Sequence, residues 1–445
     1  MKIAFIVHQF PAISETFILR QITGLLERGH EVDIFAYNWS TESTVHADVE
    51  KYQLLERTRY INLYACSSKP VRFARRIGLL IANFHKNPRA VLDSLKFSKF
   101  GRGAIFLQML NQIVPFLDRG PYDIVHCQFG PLGQLGLLLR DTGVCGGEIV
   151  TSFRGYDISS YVKLYGDHIY DDLFSRGDLF LCVCEHIKGR LLRLGCQEQK
   201  IVVHRSGVDL QSYRFCPRVA NRDVGVRVLT VARLTEKKGV EYGIRAVAEV
   251  VQKHQRVEYK IAGDGPLKGE LQSLIRKLKV AGNVELLGWK SQNEIAELLQ
   301  KSDILLAPSL TPENGSEEGI PGVIMEAFAQ SLPVVSTYHA GIPEVVEDGC
   351  SGFLVPERDV NALTEKLQAL VEQPMLCVRM GSHGRRFVEA HYNIDRLNDR
   401  LVSIYDQLVN GELLISPHRS PTTRKPSVVT QLVSRSSMSK PAKQL

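Results

Sequence analysis

The sequence predicts an α/β protein built from two parallel-sheet domains, and three observations carry that prediction. Short apolar runs alternate with amphipathic helical patterns, as in successive βαβ units. The alternation comes in two sets, separated by a polar stretch at residues 213–223. The segments richest in glycine and charge stand directly after apolar runs, where ligands bind in open parallel sheets.

In the first set, residues 2–8 read as a strand, and Ser14 caps a helix that ends near residue 28 at Gly29. Strands follow at 31–36, 123–126, 149–153, 179–184 and 200–204, with a polar excursion over 41–58. The second set places strands at 227–232, 258–262, 284–287, 304–307 and 333–336, and helices at 240–253, 267–280, 291–300 and 323–330. A closing helix is expected at 397–409. The expected divisions are 1–209 and 210–390 as two Rossmann-like domains and 391–412 as a helix packing back on the first; the Ser-, Pro- and cation-rich residues 413–445 lack the apolar surface to offset ordering.

A chain of 445 residues is long enough for two cores. Six of the seven net positive charges lie in residues 413–445, so the body is nearly neutral, which argues against a nucleic-acid binder. A second concentration, residues 69–102, carries nine Lys or Arg against Asp93 alone. Its apolar partners Val71, Phe73, Ile77, Leu80, Ile81 and Phe84 suit a helix resting on an anionic leaflet, and equally a packed helix with solvated cations. The start, MKIAFIVHQF, lacks the pattern of a secretory signal, and no apolar run approaches a membrane span. The nine cysteines include no CxxC pair; Cys182 and Cys184 would share a strand face, and the set reads as reduced thiols rather than a metal site. The expected location is cytoplasmic or peripheral on the inner leaflet.

After the strand at 227–232, Arg233-Leu-Thr-Glu-Lys-Lys238-Gly239 leads into a helix. Arg233, Lys238 and backbone N–H groups could converge there on an anion, or the lysines could simply be solvated. Gly263 lies in a turn after the next strand, fitting close backbone approach or a plain tight turn. The segment Glu317-Glu318-Gly319-Ile320-Pro321-Gly322 opens the helix that carries Glu326. A carboxylate beside a phosphate-binding helix start suits a sugar diol; a surface helix acid fits the spacing as well. His126 ends a strand, where it could contact an acceptor or serve as a hydrogen-bonded histidine beneath the cleft.

These residues resemble the family-4 retaining glycosyltransferases of the GT-B fold. Glu318 and Glu326 match that family's pair of glutamates eight positions apart, and the likeness spans residues 1–410. Segments 231–239, 262–267, 318–326 and 341–349 occur in the family's order. The resemblance implies Arg233 and Lys238 on the donor diphosphate, Glu326 on the ribose, Glu318 at the donor-sugar hydroxyls, the 319–322 backbone and Gly263 beside the donor, and Gly288 and Trp289 near the base. Phe10-Pro11 with Ser14-Glu15-Thr16, His126, and Arg154-Gly-Tyr-Asp157 resemble the exopolysaccharide branch that includes colanic acid-type enzymes. Two departures stand out: Ser14-Glu15-Thr16 replaces a Gly-rich loop, and Arg154 stands where many members have a donor-binding His. Ser14, Glu15, Thr16, Arg154 and Asp157 are assigned to the acceptor side, where Arg154 would bind an anionic group or pair with Asp157.

The implied reaction is retaining transfer from a UDP- or GDP-linked sugar to a saccharide acceptor, lipid-linked in the exopolysaccharide setting, with no further cofactor. The absence of an Asp-x-Asp triplet agrees with metal independence. Alternatives are an epimerase or phosphorylase on a related fold, or an assembly protein that binds the nucleotide without turnover. A dinucleotide oxidoreductase would need a GxGxxG after the first strand, which is not found.

Overall fold

The computed structural model describes residues 1–12, 15–40, 45–61, 69–95, 108–213, 215 and 225–412. Ser14, the segment 413–445, most of the 213–223 stretch, and Lys96, Lys99 and Arg102 of the basic segment lie outside the described residues.

Two all-parallel sheets form the frame. The first has seven strands: β1 (Lys2–Phe10), β2 (Glu31–Trp39), β3 (Thr58–Tyr60), β4 (Ile124–Gln128), β5 (Glu148–Phe153), β6 (Leu179–Cys182) and β7 (Ile201–Val203), in the order β3-β2-β1-β4-β5-β6-β7. The second has six: β8 (Arg227–Val231), β9 (Glu258–Ala262), β10 (Val284–Gly288), β11 (Ile304–Ala307), β12 (Val334–Thr337) and β13 (Gly352–Val355), in the order β10-β9-β8-β11-β12-β13. In each sheet the order reverses beside the first strand, so the loops after β1 and β4, and after β8 and β11, splay apart and open a crevice.

The central strands are apolar on both faces, as sheets covered by helices require. Ile3 to Val7 of β1 are fully buried, with Leu25 and Ile34 on one side and Phe35 and Val125 among the other cluster. The Ile394–Val409 helix places Leu401, Ile404, Tyr405 and Leu408 in the first domain's core, and Arg28 bonds Asp399 across that contact at 2.8 Å.

Several elements differ from the sequence reading. β3 and β13 were not expected, nor was the Pro374–His391 helix. The first helix begins at Thr16, with Glu15 rather than Ser14 at its N-cap position. β6 stops at Cys182, and Cys184 instead precedes the Glu185–Arg193 helix. The polar 41–58 stretch contains a short helix, Ala47–Lys51.

Candidate functional site

The loop after β8 is held by its neighbours. Leu234 N–H donates to Asp264 O (2.9 Å), Leu267 N–H to Leu234 O (3.1 Å), and Gly263 N–H to Gly288 O (2.8 Å). Gly263, Gly288 and the loop bearing Arg233 therefore meet at the carboxyl ends of β8, β9 and β10. Trp289, next to Gly288, is 49% exposed. The loop then makes a 3-10 turn, Glu236–Lys238, that ends on Gly239 in a left-handed conformation. An added Cβ there would stand 1.9 Å from Pro308 O, so only glycine lets this turn seat against the end of β11.

That seating aims the lysines at the next loop. Lys238 Nζ donates to Glu318 Oε2 at 2.6 Å, and Lys237 Nζ lies 3.3 Å from Oε1. Burial pushes the Glu318 carboxyl up, but Lys238 and Lys237 outweigh it and bring it to about 2. Lys238 and Glu318, assigned separately to phosphate and sugar, are thus one ion pair. Arg233 is exposed, and its side chain makes no hydrogen bond or ion pair among the described residues.

The Gly322–Ala329 helix follows, with Pro321 at its N-cap, no side-chain cap and no acid in its first turn. Its leading N–H groups are left for solvent or a ligand. Glu326, one turn in, is partly buried. Burial raises its carboxyl against the opposing pull of Arg20, from the Thr16–Glu27 helix of the first domain, and of Tyr213. The Tyr213 hydroxyl is enclosed and faces Glu326 and Gln292. Ile320 packs against the core clusters of both domains, and Gly319 abuts Val183 and Arg154 O.

On the opposite wall, Gly155 has φ 149° and fits directly over Glu317 O, where a Cβ would stand at 2.6 Å. Asp157 is fully buried, and its carboxylate accepts the N–H groups of Gly130 (3.1 Å), Arg154 (3.0 Å) and Gly155 (2.9 Å). It shapes the loop, and the expected acceptor contact is corrected: no carboxylate surface remains. Arg154 makes no ion pair with Asp157. Its guanidinium bonds Gln128 Oε1 (2.9 Å), Ser206 Oγ (3.1 Å) and Gln21 Oε1 (3.4 Å) and lies 3.9 Å from the Phe17 ring centre. Burial brings its pKa down to about 10, against the pull of Asp157 and Glu15. Glu15 lines a crevice with Phe10, Pro11 and Ile18, and Thr16 begins the helix beside it.

His126 is also corrected. It has no exposed surface, Nε2 lies 2.7 Å from Ser152 Oγ, and Nδ1 lies 2.6 Å from the Tyr405 hydroxyl. With both nitrogens engaged it reaches no ligand, and burial, then Arg154 and His204, hold its pKa well below the usual 6.5.

Several residues that define the closed cleft escaped the sequence reading. Glu317 bonds His186 Nε2 (2.8 Å) and Arg190 of the first domain, and its N–H donates to Ser159 Oγ (3.0 Å). Glu344 receives the N–H groups of Glu185 and His186 at 2.9 Å each, capping a helix of the other domain. Adjacent glutamates at 317 and 318 carry no signal of which faces which domain. Glu344 stood within a recognised segment but without a role.

Comparison with known proteins identifies the family and the fold. The family model "Glycosyltransferase Family 4" matches residues 14–212, and "Glycosyl transferases group 1" matches residues 220–387. The chain is 37% identical over 415 residues to WcaL of Escherichia coli (strain K12), named as a colanic acid biosynthesis glycosyltransferase, covering 92% of this chain and 100% of the relative. It is 34% identical to the amylovoran biosynthesis glycosyltransferase AmsK of Erwinia amylovora, with 92% and 100% covered. Among solved structures, HepE of Anabaena, in complex with UDP and glucose, aligns with a TM-score of 0.66 at 16% identity, covering 92% of this chain and 100% of that one. Sucrose-phosphate synthase of Thermosynechococcus elongatus aligns at 0.68 and 17%, with the same coverage. At these identities the structural likeness speaks for the two-domain fold.

Proposed function

The chain belongs to the family-4, group 1 glycosyltransferases, and from that premise we propose that it transfers a sugar from a UDP- or GDP-linked donor, with retention, to a lipid-linked saccharide during exopolysaccharide synthesis. The observation that carries the reading is the Lys238–Glu318 pair, held at the mouth of an uncapped helix start. The relatives named for colanic acid and amylovoran synthesis support the pathway class, and the UDP complex of HepE supports a nucleotide-linked donor.

Transfer breaks the bond between the anomeric carbon and a diphosphate oxygen, and negative charge grows on the leaving group. Lys238, Arg233 and the N–H groups of the Gly322–Ala329 helix would meet that charge, in a site already partly dry. Drawing Lys238 toward the diphosphate leaves the ionised Glu318 as an acceptor for donor-sugar hydroxyls. Glu326 would take the ribose diol, with the Gly319–Gly322 backbone, Gly263, Gly288 and Trp289 around the nucleotide. A departing diphosphate oxygen would accept the acceptor's proton, which needs no enzyme base and leaves His126 outside the chemistry. The metal-independent form of the reading rests on the lack of an Asp-x-Asp triplet.

For the acceptor side, the Lys69–Asn83 helix and its continuation expose Ile77 (39%), Ile81 (73%), Phe84 (43%) and Leu92 (53%) near Lys86 and Arg89. An apolar face rimmed by cations suits peripheral contact with an anionic leaflet. Among the described residues no helix is long and apolar enough to cross a membrane. The test is incubation with lipid-linked oligosaccharides and a panel of UDP- and GDP-sugars, reading products by mass. One donor should extend the acceptor by a single sugar; no extension with any donor would overturn the reading.

A further inference from the structure

The chain crosses from the first domain to the second and back at one place. Val208 N–H donates to Tyr392 O (2.8 Å) and Ile394 N–H to Val208 O (3.2 Å), so the two crossings pair as a short parallel bridge. Beside this bridge lies a cavity of about 210 Å³, lined by Arg205 of the first crossing and His391, Asn393, Arg396 and Arg400 of the second. None of these residues belongs to the site described above.

Three guanidinium groups share this cavity: Arg205 lies 5.8 Å from the Tyr392 ring centre, and Arg396 and Arg400 are exposed and make no ion pair among the described residues. Three of the neighbouring acids are engaged elsewhere: Glu389 bonds Arg385 at 2.5 Å, Asp399 bonds Arg28 at 2.8 Å, and Glu344 caps the Glu185–Arg193 helix, while Asp395 stands exposed in the first turn beside Arg396. Arg205 Nε is fully enclosed and has no partner. An enclosed donor without an acceptor is costly, and like charges around one cavity repel. One anion would relieve both. The cavity also borders the first turn of the sixteen-residue Ile394–Val409 helix, whose leading N–H groups are already held by Asn393 Oδ1 and Val208 O, so the arginines alone supply its positive charge.

We propose that Arg205, Arg396 and Arg400 form a second anion site at the interdomain crossing, built for a phosphate or diphosphate group. Guanidinium forks match phosphate oxygens two at a time, which favours that chemistry over a monovalent ion. The group could come from a soluble phosphate compound or from a lipid diphosphate headgroup. The proposal does not depend on which sugar is transferred, or on glycosyl transfer itself.

Calorimetric titration of the full chain with inorganic pyrophosphate tests it. Wild type should bind at two classes of site, Arg233→Gln/Lys238→Gln should keep one of them, and Arg205→Gln/Arg396→Gln should lose that one. Loss means a fall in affinity of about tenfold or more. An unchanged melting transition shows that the crossing variant folds; if it does not, Arg396→Gln and Arg400→Gln, on an exposed helix face, replace it. Flotation with vesicles carrying an isoprenyl diphosphate separates the sources: a crossing variant that no longer floats marks the headgroup, and equal flotation with lost pyrophosphate binding marks a soluble ligand. Pyrophosphate binding of unchanged stoichiometry and affinity in the crossing variants would overturn the proposal.

Discussion

Lys238 Nζ stands 2.6 Å from a Glu318 carboxylate oxygen, so the loop after β8 and the loop before the Gly322–Ala329 helix are joined by an ion pair. In the proposed reaction an arriving diphosphate would compete with Glu318 for that ammonium. Lys238→Ala is expected to lower kcat by about 10²–10³-fold. It also leaves the buried Glu318 opposed only by Lys237, so the carboxyl titrates higher. In wild type Glu318 stays ionised down to about pH 2, and it adds no acid limb to the activity profile above pH 4. Lys238→Ala should bring an acid limb into the measured range of kcat/KM, and profiles of the same shape in both proteins would defeat this account.

Glu318 and Glu326 should separate kinetically. In the proposed reading Glu326 holds the ribose, so Glu326→Ala should raise the donor KM and weaken donor binding by about tenfold, the scale of one charge-assisted hydrogen bond. Glu318→Ala removes a group from the reacting end and should mainly lower kcat. Steady-state kinetics with calorimetric donor binding distinguish them, and equal KM effects in both variants would contradict the placement.

The fold was legible where apolar runs end in glycine or charge, as at Arg227–Val231 and Glu258–Ala262. β3 and β13, of three and four residues, are too short to show a period. The Pro374–His391 helix carries Gly381 and Gly384, residues of weak helix propensity. Both are packing glycines: an added Cβ at Gly381 would stand 1.9 Å from Ser331 O, and one at Gly384 would stand 2.2 Å from the Phe328 ring. Lys238 and Glu318 stood out in the sequence because each lies in a distinctive segment beyond a strand, but their pairing with each other did not. The enclosure of His126 stood as one of two open readings, because Tyr405, which covers it, arrives from the far end of the chain. The pairing of Glu317 with His186 and Arg190 likewise exists only once the domains meet.

That pairing makes a stability prediction. Burial raises the Glu317 carboxyl, but His186 and Arg190 outweigh it and hold it below the usual glutamate range. Removing the carboxylate leaves Arg190 without its partner, so Glu317→Ala should destabilise the protein by about 1–3 kcal/mol. A double-mutant cycle with Arg190→Ala should return a coupling of about 1 kcal/mol or more in urea unfolding. Additive single effects would show that this contact does not hold the cleft closed.

His126 and His204 contribute to the acid side of the stability curve. His126 is fully enclosed, and His204 is 4% exposed with Nε2 on Leu397 O at 2.9 Å. Burial brings His204 down to about 4 and His126 well below 6.5. Both rings stay neutral in the folded chain while the unfolded chain protonates them near pH 6.5, so the unfolded state binds more protons in this interval. Stability is therefore fully present above pH 6.5 and falls as the pH drops toward 4, by about 1.4 kcal/mol per pH unit for each ring. Tyr405→Phe leaves His126 Nδ1 without its partner and should cost about 1–3 kcal/mol in denaturant unfolding at pH 7. Because neither residue touches the proposed donor, kcat should stay within about threefold of wild type at 25 °C, a barrier change well under 1 kcal/mol. A large fall in kcat with unchanged stability would return His126 to the chemistry.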